Sequence, residues 1–573
     1  MCGILAVFGD TTDIDHTRFE HARDQLMYRG PDDSGMFVDT HCLLGHRRLS
    51  IIDLSMGGHQ PMHTPDGRYH IVFNGEIYNY KALRSQLSSF SFQTQSDTEV
   101  LLAAYIAYGK DMVNHLDGMF AFAIYDSLEK SLFVARDPLG IKPLVYAMRN
   151  STIYIASEIK AIRALWDQQL SLDRASLFDF FCLKHIPAPY SIFQEIKKLP
   201  AGCTLFATQD HILDPVIETY WRPTYDPDHH TPFTSQRVRE LFLETVQAHL
   251  VADVPVGAFL SGGIDSSAIV WAMRECGIQP KTYTVGFRSQ SDDQDIISAR
   301  RIAKYFHTDH HEYVVDGSDY ADVMKQIIYA SDEPFADPAM ASNWYVARET
   351  AKDATVVLSG DGGDEVFFGY PAYQRMNSFV KRSKVRLVKR QDPMEYYFGY
   401  RHRDVSALLG IPTQYPRVHY DETEAPALAM RQFDLAKTLP DYYLRKTDLT
   451  SMLHSLEVRV PFCSRSFVEA MERISYRVHM DNTHGKNVLR EAFRGFIPDD
   501  IIDRPKQGFS RPVHTLLDAN RLQQIEKHLV PTGLFDSRQL HIVLKDALTH
   551  QRSRSTAWKL FVFSEWYSSQ YLL

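Results

Sequence analysis

The sequence predicts two halves of different class: an α+β half first, then an α/β half built on a parallel sheet and continued by an α-rich extension. Three observations carry this. Over roughly the first 200 residues, β-branched and aromatic runs ended by turn residues recur with few helices between them: "HIVFNG", "GMFAFAIYD", "SLFVARD", "STIYIASE" and "GCTLFAT". Further on, the short apolar runs "VPVGAFL", "KTYTVGF" and "ATVVLSG" alternate with helix-period segments, the mark of parallel strands joined by helices. From about residue 375 the pattern is mostly helical, with no internal repeat or low-complexity tract.

Taken in order, the chain opens on "MCGILAVFGD", a thiol and a glycine ahead of a strand-like run. Ser96 and Glu99 form an S-x-x-E capping box ahead of Val100, Leu101, Ala104, Tyr105 and Tyr108, which predicts a helix. "FAIYDSLEKSLFVARD" predicts a hairpin. The stretch "WRPTYDPDHHTP", residues 221–232, is rich in Pro, Asp and His without periodicity, as a linker is. It divides the chain into domains 1–220 and 233–573, and "SQRVRELFLETVQAHL" opens the second as a helix.

At 573 residues the chain exceeds what one hydrophobic core usually supports, in line with that division. A net charge of -9, with both signs interspersed, leaves no electrostatic footprint for nucleic acid and favours small-molecule partners. The six cysteines are too widely spread for a disulfide framework and include no CxxC pair, which points to a reducing compartment. No apolar run approaches the ~18 residues of a spanning helix, and the first residues lack the basic and apolar regions of a leader. The expectation is a cytoplasmic protein with no membrane contact.

Candidate chemistry sits at the N-terminus and in two turns that follow strands. Once Met1 is removed, Cys2 becomes residue one, and its own α-amine, with an ordinary pKa of about 7.7–8.0, is placed to act as base for the thiol. In "FLSGGIDSSAIV", Gly262 and Gly263 let the backbone approach a ligand closely. Ser261, Ser266 and Ser267 offer hydroxyls, and the following helix offers free N–H groups: the parts of an anion cradle. The pattern is not GxxxxGK[ST], which excludes a Walker A loop. Alone, such a turn is as often an ordinary βα connection. The second turn, "LSGDGGDEV", also follows a strand and groups Asp361, Asp364 and Glu365. Strand ends on one edge of a parallel sheet converge on a ligand crevice, so the two turns are expected to face each other. Carboxylates beside a phosphate cradle suit Mg²⁺, and Asp265 with Asp364 is the natural pair.

These motifs do not stand alone. "MCGI", "RGPDDSG", "HRRLSIID", "NGEIYN", "SDTE", "DGMFAFAI" and "RDPLGIKPL" resemble, in order, the glutaminase domain of the glutamine-hydrolysing asparagine synthetases. "SGGIDSS" resembles the pyrophosphate loop of the ATP pyrophosphatases and "LSGDGGDE" its companion in that family. The resemblance implies an N-terminal nucleophile hydrolase sandwich (αββα), followed by an ATP-pyrophosphatase domain with an α-rich extension. It implies Cys2 as the nucleophile of a class II glutamine amidotransferase. The Asn74 side chain and the Gly75 N–H suit the tetrahedral oxyanion, each such donor being worth about 3 kcal/mol in comparable sites. Arg48 suits the α-carboxylate of glutamine and Asp97 with Glu76 its ammonium, Asn74 being counted with them as glutamine-binding. Arg47 is an alternative to Arg48, Arg29 reads as a buttress of its loop, and His46 and His59 read as structural.

In the second half the resemblance implies ATP-driven formation of an acyl-adenylate that ammonia converts to an amide. Adenine is expected against Phe259, Leu260, Val285 and Gly286, and the α-phosphate near Ser359 and Gly360. Lys486 and Lys506 would neutralise the leaving pyrophosphate, and Asp361 would hold the acceptor's ammonium or activate ammonia. "DEPFADPAM", residues 332–340, is expected near the acceptor, and L-aspartate is the expected acceptor. ATP, Mg²⁺ and a homodimer complete the expectation. Three places depart from the family's usual text and are expected towards the acceptor. Phe368 stands where a second glycine often occurs, Leu449 where arginine commonly follows Asp448, and "PFCS" at 461–464 replaces "PFLD". They set the alternative: the same fold amidating another carboxylate in natural-product or cell-surface biosynthesis.

Overall fold

The computed structural model describes residues 1–12, 14–226, 230–287, 294–376, 392–418, 425–481, 483–505 and 516–571. The first half holds two six-stranded antiparallel sheets. One runs from edge to edge through Ile196–Lys198, Val145–Arg149, Thr152–Ala156, Gly3–Gly9, Cys42–Arg48 and Asp33–Val38. The other runs through Val216–Thr219, Cys203–Thr208, Ser131–Arg136, Gly118–Asp126, Tyr69–Ile77 and Met62–His63. The expected hairpin is the antiparallel pair Gly118–Asp126 with Ser131–Arg136.

The strands are apolar on both faces, and each face has its own partner. Ile4, Ala6 and Phe8 meet Val72, Ala121, Ala123 and Val134 between the sheets. Leu5 and Val7, pointing the other way, pack under the helices His16–Asp24 and Ile159–Leu165 through Phe19, Ala22 and Ile162. On the far side, Phe73, Phe120 and Phe122 pack against Val100, Leu101 and Ala104 of the helix Asp97–Tyr108. The result is the helix–sheet–sheet–helix order of the αββα sandwich. The capping box is not formed at that last helix. Ser96 Oγ accepts from Thr98 N, but Glu99 accepts from the N–H groups of Gln93 and Thr94. The carboxylate ties down the incoming loop in place of Ser96 N, which donates instead to Thr94 Oγ1.

The second half carries a five-stranded parallel sheet in the order Asp309–Val315, Lys281–Phe287, Val256–Phe259, Val356–Leu358, Glu457–Arg459. Three of these are the apolar runs of the sequence. The other two escape a periodicity reading, because "DHHEYVV" is polar at its start and "EVR" is only three residues long. From Val256–Phe259 the sheet grows first to one side and then, with Val356–Leu358, to the other. That reversal is the switch point at which a crevice opens beyond the strand ends. Helices dominate the remainder. Pro440 has no N–H to continue an α-helical ladder, and Asp434–Leu444 is wound as a π-helical stretch leading into the helix Arg445–Met452. Among the described residues no helix is long and apolar enough to cross a membrane.

Two candidate active sites

At the first site, the N–H of Cys2 donates to Asn74 Oδ1 at 2.8 Å. This fixes the amide so that Nδ2 points elsewhere, and Asn74 Nδ2 is buried with no hydrogen-bond partner among the described residues. A buried donor without an acceptor costs about 1–3 kcal/mol unless a ligand completes it. Gly75 follows with φ +154°, and a Cβ there would lie 2.0 Å from the Met119 carbonyl oxygen. Only glycine fits.

Cys2, Arg48, Gly75, Glu76 and Asp97 line one cavity of about 20 Å³, room for a single water. Arg48 donates to the carbonyls of Ser55, Ile52 and Asp53. Arg47 instead donates to Gly30 O and pairs with Asp24, away from the cavity. Burial raises the Cys2 thiol above its usual pKa, opposed by the N-terminal ammonium, the Leu49 N–H and Arg48. Burial also pushes Asp97 up to about 6, although it accepts from Ile77 N. Glu76 is raised well above the carboxylate range by burial and the Glu457 charge, and stands 3.5 Å from Arg459.

Met1 is packed against the second half. Its ammonium lies 3.0 Å from Glu457 with almost no exposure, and its side chain packs with Val356 and Met452. While Met1 is attached, the Cys2 nitrogen is an amide and has no basicity. Arg29, fully buried, donates to the Cys2 carbonyl oxygen and pairs with Glu158 and with Asp448 of the second half. His46, held neutral by burial at a pKa of about 3, donates to Phe73 O. His59 pairs with Asp33 at the surface.

At the second site the two turns touch. A Cβ on Gly360 would lie 2.9 Å from Asp265 Cβ, and one on Gly363 would lie 2.8 Å from Asp265 Oδ1. The helix Ile264–Glu275 starts at Gly263, and Gly262 at φ +69° backs onto Ser298. Lys486 Nζ lies 2.5 Å from Asp265 and 2.8 Å from Asp364, so one ammonium is held between two carboxylates. Glu365 is pushed up to about 8 by burial and the Asp364 charge, and accepts from the Tyr370 hydroxyl. Its proton is thus held more tightly than an ordinary carboxylic acid's. Among the described residues no group of three or more His, Cys, Asp or Glu converges to hold a metal unaided. Asp265 and Asp364 offer the oxygen donors a hard cation takes, and here the Lys486 ammonium lies between them.

A cavity of about 700 Å³ lies beyond the turns. Phe259, Leu260, Ser261, Asp265, Ser266, Val285, Ser359, Gly360, Asp361 and Asp364 line it. Gly262, Gly263, Ser267, Gly286 and Lys486 are not among its lining residues, Lys486 pairing with Asp265 and Asp364, and Lys506 lies outside the described residues. Sequence reasoning missed Cys182, Leu183 and Lys184, which the first half lends to this cavity. Lys184 ends the helix Arg174–Leu183 at φ +72° and accepts from Ala336 N. It also missed Tyr370, Tyr442, Tyr443, Lys446 and Thr447; the only local signal was the cluster "DYYLRKTD".

The three departures do not line the cavity; they lie in the packing behind it. Leu449 is buried in the apolar core. Cys463 sits under Gly362, and Ser464 and Ser466 donate to Asp117 of the first half, where an aspartate at 464 would meet a like charge. Phe368 has φ +56°, unusual for a bulky residue. Its ring is buried between Tyr373 and His479, with the Arg431 guanidinium 5.1 Å above it. The ring contacts thus hold a backbone that glycine would adopt freely. Phe368→Ala keeps the strain and loses the ring, whereas Phe368→Gly loses the ring but sheds the strain. Glycine is therefore expected to be the more stable of the two variants by about 1 kcal/mol, the reverse of the usual order. Denaturant midpoints of both variants test this, and an alanine variant at least as stable as the glycine one would remove the strain argument.

The asparagine synthase family model matches residues 237–568, and the glutamine amidotransferase domain model matches residues 1–221. "Asparagine synthetase [glutamine-hydrolyzing] 1" of Bacillus subtilis (strain 168) is 31% identical across 99% of this chain and 96% of its own. "Asparagine synthetase [glutamine-hydrolyzing] 3" of the same organism is 33% identical across 95% and 93%. "Asparagine synthetase B [glutamine-hydrolyzing]" of Escherichia coli (strain K12) is 29% identical across 93% and 87%.

Proposed function

Because the chain belongs to the glutamine-hydrolysing asparagine synthetase family, we propose that it moves the amide nitrogen of glutamine onto the β-carboxylate of L-aspartate. ATP is the activator, and the products are L-asparagine, glutamate, AMP and pyrophosphate. The observation that carries this reading is the Asn74 amide, anchored by the Cys2 N–H and left with a buried, unanswered donor beside the thiol.

With Met1 removed, the α-amine of Cys2 takes the thiol proton as sulfur attacks the glutamine side-chain carbonyl. The C–S bond forms, and the oxyanion accepts from Asn74 Nδ2 and the Gly75 N–H. Collapse expels ammonia with the proton from the amine, and water then hydrolyses the γ-glutamyl thioester. Arg48 exchanges loop carbonyls for the substrate α-carboxylate. Asp97 is the charged partner of the ammonium, and Glu76, raised by burial and the Glu457 charge, stands beside Arg459.

Asp97 loses its charge at a higher pH than an ordinary aspartate. Glutamine kcat/KM is therefore expected to fall below the Cys2 amine's pKa of about 7.7–8.0 and to steepen further below pH 6 as Asp97 takes up a proton, and Asp97→Asn should abolish the steepening. A slope that stays the same from pH 7 down to pH 5 would falsify the assignment.

At the second site the acceptor carboxylate attacks the α-phosphorus, and pyrophosphate departs towards Lys486 and the N–H groups that open the helix Ile264–Glu275. Asp265 and Asp364 would hold Mg²⁺, which when bound offsets charge on the leaving pyrophosphate. Ammonia displaces AMP, and Asp361, held by Ser359 and Thr447 hydroxyls, takes the proton from the adduct. Six cysteines, none in a disulfide, support a reducing cytoplasmic setting. A homodimer is the expected assembly, checked by light scattering. Purified protein with glutamine, ATP, Mg²⁺ and a panel of carboxylates, scored for AMP and product mass, tests the whole. AMP with another carboxylate and none with aspartate would replace this reading.

A further inference from the structure

The end of the large cavity beyond Asp361 carries charges that the chemistry above leaves unused. Lys446 and Asp337 line it, with Tyr442, Tyr443 and Thr447. Thr447 Oγ1 donates to Asp361 Oδ2 at 2.9 Å, so the lysine one residue earlier emerges on the wall that carries Asp361. Lys446 Nζ lies 3.3 Å from Asp337 Oδ2, with side-chain exposures of 11% and 8%. It stands 5.5 Å from the centre of the Tyr443 ring. Asp337 Oδ1 is pinned by the N–H of Ala339 at 2.8 Å. Lys184 and Arg375 also line the cavity, but neither forms an ion pair among the described residues.

We propose that Lys446 and Asp337 are a clasp for the α-amino-acid end of the acceptor, sorting carboxylates by the presence of both zwitterion charges. This rests on the acceptor reading given above. At 3.3 Å the pair is looser than the ~2.8 Å of a tight charge-assisted bond, and the ammonium keeps donors to spare. A zwitterion entering between them gives its carboxylate to Lys446 and its ammonium to Asp337. Each buried charge changes partner and neither is left alone. Succinate has no ammonium and strands Asp337; 3-aminopropanoate has no α-carboxylate and strands Lys446. A buried charge left without its partner is strongly unfavourable, so both analogues are rejected for opposite reasons.

The test is a crossed comparison of AMP formation by the full chain, K446M and D337N with L-aspartate, succinate and 3-aminopropanoate. The native enzyme is expected to prefer aspartate over either analogue by about 100-fold or more in kcat/KM. K446M should lose about 30-fold on aspartate, mainly through KM, and its preference over 3-aminopropanoate should shrink to a few-fold while that over succinate persists. D337N should show the converse. K446R should recover most of the loss, and glutamine hydrolysis with an unchanged KM for ATP reports a folded chain. K446Q replaces K446M if that control fails. Native preference ratios in both variants, with aspartate still the best acceptor, overturn the clasp and leave the acceptor reading standing. No AMP from aspartate with the native chain overturns both.

Discussion

Cys2→Ala is expected to lower glutamine-dependent asparagine formation by about 10⁴-fold or more, while ammonia-dependent formation persists. The loss is large because Cys2 is the only thiol lining the first site among the described residues. The cavity there is closed by Arg48, Glu76 and Asp97, and the other five cysteines lie elsewhere. Persistence with ammonia follows from the separation of the sites. The two cavities share no lining residue, and free ammonia bypasses the first reaction. Assays with each nitrogen donor, read as asparagine per unit time, check this. Equal loss of both activities in a folded variant would mean that Cys2 supports the synthetase site structurally, and the nucleophile would have to be sought elsewhere.

Asp265→Asn and Asp364→Asn are each expected to reduce AMP formation by about 100- to 1,000-fold with either nitrogen donor, glutamine hydrolysis surviving. Lys486 is held by both carboxylates, so either change leaves its ammonium with one ionic partner of the two and halves the charge offered to a cation. The Mg²⁺ concentration for half-maximal rate should rise in both variants. Full AMP formation in both would show that phosphate chemistry is served by other residues.

Much of this was legible because the chemistry is local. Cys2 is two residues from its strand core, and Asn74 and Gly75 are adjacent. Each phosphate turn is a few residues after an apolar strand, so motif and position coincide. What escaped depends on contacts distant in sequence. Lys184 reaches the synthetase cavity from the end of a helix in the other half. Lys446 and Asp337 are far apart in the sequence, and only the fold brings them together. Glu99 matched a capping pattern, but its carboxylate found the N–H groups of Gln93 and Thr94 instead. The departures at 368, 449 and 463–464 suggested altered acceptor recognition. Their exposure and neighbours show altered packing, a distinction that spacing along the chain does not carry.

Arg29 lies in the first half, yet one of its carboxylate partners, Asp448, is 419 residues away in the second. A lost partner in such a buried pair costs about 3–5 kcal/mol, a large share of the stability of most proteins. Recombination at the 221–232 stretch therefore carries a hidden condition. A lineage could inherit a foreign first half cheaply only from a donor with arginine at the matching place, and drift at 448 is tied to drift at 29. The seam between the halves looks open in the primary structure, but Arg29–Asp448, like Met1–Glu457 and Glu76–Arg459, crosses it with buried charge.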